Sequence, residues 1–108
     1  MNTIKNKVQL LGHVGQDHEI LILQDGKKCA RFSMATNEHY LNSQGEKVEK
    51  THWHRIVFWN KPAEIVEQYV KKGTHLAIEG KLTTHSWEDD HGVKNYRTEI
   101  VGRELLLL

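Results

Sequence analysis

A small all-β barrel with a single helix is the fold class that three features of the sequence predict. Most segments alternate apolar and polar residues at the two-residue period of a strand. Turn pairs such as Asp25-Gly26 punctuate those segments. Only residues 60–73 combine helical spacing with helix-end signals, whereas an α/β sheet would need a helix after most strands. With one proline, no internal repeat and no low-complexity stretch, nothing marks a linker, and residues 1–108 are expected to fold as one domain.

In chain order, NKVQLLGHVGQD reads as a strand closed by Gly12 and Gly15, and EILILQ as a second that turns through Asp25-Gly26 into KCARFSMAT. Residues 37–51, NEHYLNSQGEKVEKT, are polar with Gly45 near the middle, which suits a long hairpin excursion rather than buried structure. HWHRIVFW is the next strand. In NKPAEIVEQYVKKG, Asn60 or Lys61 is expected to cap a helix, Pro62 sits in its first turn, and Gly73 ends it. Val66, Tyr69 and Val70 give the apolar stripe, Glu67 and Lys71 are spaced to pair one turn apart, and Lys71 with Lys72 complements the dipole.

THLAIEGKL then alternates Leu76, Ile78, Gly80 and Leu82 inward, and THSWEDDHGVKNYRTEIV turns through Asp89 to Gly92 as a hairpin. Several strands, one helix, then more strands is the order of a five-stranded Greek-key barrel of the oligonucleotide-binding (OB) type. In that fold the helix lies between barrel strands 3 and 4, here with extended β-hairpins.

The net charge of +1, histidines neutral, is not the strongly basic balance that announces wrapping of duplex DNA. It leaves room for single strands if stacking on aromatics supplies much of the affinity. No apolar run approaches bilayer length, and the N-terminus lacks the pattern of a secretory signal. Cys29 has no second cysteine to pair with, so a reducing cytoplasm is the expected compartment.

The segment THWHRIVFW, residues 51–59, concentrates two of the three tryptophans. At strand periodicity Trp53, Arg55, Val57 and Trp59 share one face, and His52, His54, Ile56 and Phe58 the other. A guanidinium flanked by indoles fits a face that touches something planar and anionic, because bases present π faces and phosphates accept from arginine. Phe32 and Phe58 are assigned to the core, and Tyr96 to the sheet.

The segments NKVQLLGHVGQDHE, FSMATNE, THWHRIVFWNKPAEIVEQYVKKG and AIEGKL resemble, in order and spacing, the core of bacterial single-stranded DNA-binding proteins. That resemblance covers nearly the whole chain. It implies an OB barrel, homotetrameric assembly, and binding of single-stranded DNA without marked sequence preference in replication, recombination and repair, in the bacterial cytoplasm with the nucleoid. It places stacking aromatics at Trp53, Trp59 and Trp87, with Tyr40 where relatives have a fourth tryptophan, and basic contacts at Lys7, Arg55, Lys61 and Lys72. It also puts His54 at a subunit interface. Two departures stand out. The run before Trp87 reads TTHS where relatives are rich in arginine and lysine, and the chain stops at Leu108 without the acidic tail that recruits partner proteins in many relatives.

His52 and His54 share a face at a spacing some zinc sites use, but no motif marks a third ligand, so no metal and no cofactor are expected. Nor is an enzyme. There is no phosphate-cradling loop, serine elbow or cysteine nucleophile with a convergent base, and Asp89 and Asp90 fit turn chemistry. The alternative reading is a replication-accessory or protein-interaction module on the same barrel, its aromatic face occupied by another chain.

Overall fold

The computed structural model describes residues 3–15 and 18–108, so the end of the first expected strand segment, Gln16 and Asp17, lies outside the described residues. A 3-10 turn, Thr3–Asn6, leads into β1 (Val8–Val14), β2 (Glu19–Ile22), β3 (Lys28–Leu41), β4 (Lys47–Trp59), α1 (Lys61–Tyr69), β5 (His75–Glu88) and β6 (Lys94–Leu107). The strands run in the order β1-β5-β6-β4-β3-β2, and β1 also pairs with β3, which closes β1, β3, β4, β5 and β6 into the expected barrel. The helix falls between the third and fourth of those strands. β2 is an added edge strand on β3. Among the described residues no helix is long and apolar enough to cross a membrane.

Closure depends on how closely backbones approach. β1 leaves β5 for β3 around His13, which is opposite both His75 and Ala35. A Cβ on the neighbouring Gly12 would run into the Ala35 carbonyl. On β6, a Cβ on Gly102 would run into the Phe58 ring. Glycine at these two positions is what lets the strands pack to contact. Ahead of β1, Asn6 extends the ladder with its side chain: its Oδ1 accepts from the Leu82 N–H at 2.8 Å and its Nδ2 donates to the Leu82 carbonyl at 2.9 Å.

The core is built from Val14, Phe32, Met34, Ile56, Phe58, Leu76, Ile78 and Ile100, with α1 packed onto it. The helical stripe differs from the expected one. Ala63, Val66 and Val70 are buried, while Tyr69 is exposed. Glu67 does not pair with Lys71, which lies beyond the helix; it accepts from Lys28 Nζ at 2.7 Å and ties α1 to the start of β3. The Glu67 carboxylate raises the Lys28 pKa above its ordinary value, chiefly through that hydrogen bond.

The hairpins follow their turn chemistry. Asn42 Oδ1 accepts from the N–H groups of Gln44 and Glu46, both at 2.9 Å, and Asp89 Oδ1 accepts from those of His91 and Val93, both at 2.9 Å. The N–H groups of Val93 and then His91 hold the Asp89 carboxyl below the ordinary carboxylate range. Residues 37–51, expected as a polar excursion, are mostly ladder: Leu41 pairs with Lys47 at the tip, so the excursion is a two-stranded arm.

Asn60 occupies the N-cap position of α1 but makes no side-chain cap, a correction to its expected role. Its φ of 61° and ψ of −126° lie in a region that glycine tolerates and other residues reach only with strain. The backbone fixes it there, since its N–H donates to the Lys28 carbonyl at 2.9 Å and its own carbonyl accepts from Glu64 at 3.2 Å. Replacing Asn60 by glycine is therefore expected to stabilise the protein by about 1 kcal/mol, and Asn60→Val to destabilise it by at least as much. Thermal unfolding of the three proteins checks both signs.

Candidate nucleic-acid interface

The register of the barrel gathers residues from four strands onto one open side. Across β3 and β4, Arg31 faces Val57, Ser33 faces Arg55 and Ala35 faces Trp53. β6 runs parallel to β4 with Val57 opposite Val101. On the β5–β6 arm, Lys81, Thr83, His85 and Trp87 stand opposite Val101, Glu99, Arg97 and Asn95. Side chains directly opposite across a ladder point the same way, so these residues share one surface.

Three adjoining hollows make that surface a continuous track. The first is lined by Trp59 and Trp87 with Arg31, Lys81, Arg97 and Glu99. The second shares Arg31, Arg97 and Glu99 with it and adds Arg55, with Val57 in its floor. The third shares Arg55 and Glu99 with the second and ends at Trp53. Trp53 and Trp87 are 62% and 46% exposed and Trp59 is half-buried, so open indole surface stands at both ends of the track.

Each indole has an identifiable neighbour in the structure. The Trp53 ring lies on Gly15, where an added Cβ would collide with it and stand 3.0 Å from Ser33 Oγ. Gly15 is fixed by its N–H, which donates to the Ser33 carbonyl at 2.9 Å. Trp59 ends β4 opposite the buried Cys29. Trp87 has the Arg97 guanidinium 5.7 Å from its ring centroid, a cation–π distance.

The track's lining includes four permanent cations, Arg31, Arg55, Lys81 and Arg97, against two carboxylates, Glu19 and Glu99. Glu99 is largely covered and sits 3.2 Å from His85 Nε2. The positive charge is thus local to the track rather than a property of a chain whose net charge is +1.

Of the residues singled out from sequence, the structure brings together Trp53, Trp59, Trp87 and Arg55. It does not put the others in the track. Lys7 pairs with Glu79 at 3.4 Å at the β1–β5 ladder, Lys61 begins α1, and Lys72 follows α1, both exposed. Tyr40 lies out on the β3–β4 arm beside His39, Leu41 and Lys47. Its alternation along β3 puts it on the face of Phe32 and Met34, opposite that of Trp53.

His54 is half-buried, with Nε2 3.0 Å from Thr36 Oγ1, and burial followed by the neighbouring His52 lowers its pKa. His52 instead contacts Glu38 at 3.2 Å, so the two histidines have different partners.

Sequence reasoning missed Arg31, Lys81 and Arg97. Arg97 was reachable: counting outward from the Asp89–Gly92 turn puts it opposite His85, one step diagonally from Trp87.

The model of the single-strand binding protein family matches residues 5–108. A protein of Chlorobaculum tepidum called single-stranded DNA-binding protein 1 is 46% identical over 104 residues, covering 95% of this chain and 64% of its own length. A Xylella fastidiosa protein of the same name is 42% identical over 104 residues, covering 95% of this chain and 76% of its own. The chain therefore spans about two thirds to three quarters of these relatives. Among solved structures, one described as a Plasmodium falciparum SSB complex with ssDNA superposes with a TM-score of 0.88 at 35% identity, covering 95% of this chain and 94% of its own.

Because the Trp53 ring has no room for a methyl group at position 15, Gly15→Ala is expected to push the indole off its seat while leaving the barrel folded. The overpacking should cost about 1–3 kcal/mol. With Trp59 and Trp87 replaced by phenylalanine, the remaining emission should shift and its quenching by acrylamide should change. Identical spectra with and without the substitution would show that Gly15 does not seat Trp53.

Proposed function

The chain belongs to the single-strand binding protein family, and on that premise we propose that it binds and protects single-stranded DNA without sequence preference in replication, recombination and repair, catalysing nothing. The observation that carries this reading is the continuous track with exposed indoles at both ends and arginines between them. Bases stack on Trp53, Trp59 and Trp87, a contact every base can make because every base has a π face. Arg55, with the other cations of the track, meets the phosphates, which position the strand but do not read it. Lys7, Lys61 and Lys72, outside the track, are proposed as contacts for strand leaving it, and Tyr40 as a stacking platform on the outlying arm.

The proposal includes assembly into a homotetramer, which would place several tracks at high effective concentration on one strand. Its support is an uncovered apolar surface on the outer side of β1, β5 and β6, where Leu11 and Leu106 are each more than 60% exposed beside Ala77. Next to them the His13 and His75 rings are stacked with centroids 4.4 Å apart and planes within 9°. His54, half-buried already within one chain, is proposed to contribute to assembly.

Titration with polythymidine is expected to quench tryptophan emission to saturation. Affinity should fall with salt at a slope of about 0.7 per phosphate contacted. Trp53→Ala and Trp59→Ala should each cost about 1–3 kcal/mol, roughly 5- to 150-fold in affinity. Saturation without quenching, or full affinity in both variants, refutes stacking; no binding at all favours an accessory module whose aromatic face takes a protein.

Assembly has its own measurement. His54→Ala is expected to shift the protein toward smaller species in sedimentation at low micromolar concentration. An intact tetramer in that variant removes His54 from the interface.

A further inference from the structure

We propose that Arg97 is a two-sided contact: the face of its guanidinium holds the Trp87 indole in place, and its edge takes a phosphate of the strand lying in the track. The inference rests on the single-strand-binding reading above and assigns a residue and a division of labour which that reading leaves open.

Four observations converge on it. The run Thr83, Thr84, His85 and Ser86 leading to Trp87 contains no lysine or arginine, so β5 brings no permanent cation close before the indole. The β5–β6 register supplies one from the neighbouring strand, with Arg97 directly opposite His85 and Trp87 opposite Asn95. The Arg97 guanidinium carbon is 5.7 Å from the centre of the Trp87 ring, and among the described residues it is the one arginine or lysine over an aromatic ring. Arg97 also lines both the hollow around Trp59 and Trp87 and the adjoining one that leads toward Arg55.

The charge on Arg97 is not spent inside the protein. Among the described residues no carboxylate lies within ion-pair distance of it, whereas Lys7 is held by Glu79 at 3.4 Å and His85 by Glu99 at 3.2 Å. A guanidinium suits both tasks at once. It stacks through its flat face, and its N–H groups radiate in the plane of the group, so stacking on an indole leaves the donors directed outward. An ammonium at the same place would keep the charge but could not stack. Arg97 is thus a positioning residue for Trp87 and a contact for the ligand, and the cation absent from Thr83–Ser86 is supplied across the ladder.

The test uses the full chain, polythymidine as the probe, and three variants. Arg97→Gln keeps a long planar side chain without charge; Arg97→Lys keeps the charge without the plane. Arg103→Ala removes an exposed arginine outside the track, next to the irregularity in the β5–β6 ladder at Glu79 and Gly80. Thermal unfolding checks that all three fold.

Arg97→Gln is expected to lose roughly tenfold in affinity and to flatten the salt dependence by about 0.7, the share of one phosphate. Arg97→Lys should keep the parent's salt slope, lose affinity severalfold, and change the emission of Trp87 in the free protein. Arg103→Ala should bind within about twofold of the parent.

Parental affinity and slope in Arg97→Gln, or an equal loss in Arg103→Ala, overturns the phosphate contact. Full parental affinity and emission in Arg97→Lys overturns the stacking half. Failure of the parent itself to bind polythymidine would overturn the underlying reading instead, so the two failures are distinguishable.

Discussion

From Cys29 opposite Trp59 in the barrel to Leu41 opposite Lys47 at the arm's tip, thirteen consecutive pairs join β3 to β4 without a break in register. That ladder decides on which side of the sheet each side chain of THWHRIVFW stands. A slip of one residue would exchange the two faces, turning the indoles of Trp53 and Trp59 toward the core and Ile56 and Phe58 toward water. Fully burying a side chain such as Phe58 or Ile56 contributes about 1.5–3 kcal/mol, so exposing both would remove a large part of a domain's usual 5–15 kcal/mol. The buried face thereby fixes the register, and the register fixes the open face.

The same coupling explains why the site tolerates little variation in backbone spacing. Phe58 stacks on Phe32 with ring centres 6.2 Å apart and planes within 8°, and it is Phe58 that would meet any side chain at Gly102. β6 can lie against β4 because position 102 has none, and only then do Val101, Glu99 and Arg97 come alongside Val57 and Arg31. Core packing at Phe58 and the arrangement of cations over the opposite face are two consequences of one strand placement. At the other end, Gly15 plays a comparable part for Trp53, this time by leaving room for the indole itself.

Much of this was legible in the sequence, and the parts that were not share a cause. Strand order, the lone helix and the division of THWHRIVFW into two faces follow from periodicity, which is local. Helical spacing makes both Tyr69 and Ala63 eligible for the stripe, and the barrel selects Ala63, Val66 and Val70. The Glu67–Lys71 pairing expected from helical spacing fails because α1 stops at Tyr69 and Lys28 of β3 stands across from Glu67. The cations of the track carry no local signal of their own: Arg31 comes beside Trp59 only through the β3–β4 ladder, and Arg97 beside Trp87 only across the β5–β6 ladder. TTHS reads as a gap in basic charge only while β5 is considered without β6. Tyr40 illustrates the converse: the resemblance sets it where relatives have a fourth tryptophan, and strand alternation puts it on the face away from Trp53.

On the proposed reading, Glu99 constrains how a single strand would lie in the track. It lines all three hollows, and a phosphate directly above it would face a carboxylate at short range. His85 at 3.2 Å offsets that charge only when the imidazole is protonated. The permanent cations Arg31, Arg55, Lys81 and Arg97 stand around Glu99, so the favourable arrangement is a strand whose phosphates keep to the cations while its bases turn toward the indoles. A base has no net charge to be repelled by the carboxylate, and one stacked on Trp59 or Trp87 needs no edge contact to be held. The separation of phosphate from base that the proposed sequence-tolerant binding requires would therefore be favoured by a repulsive group in the track as well as by the attractive groups around it.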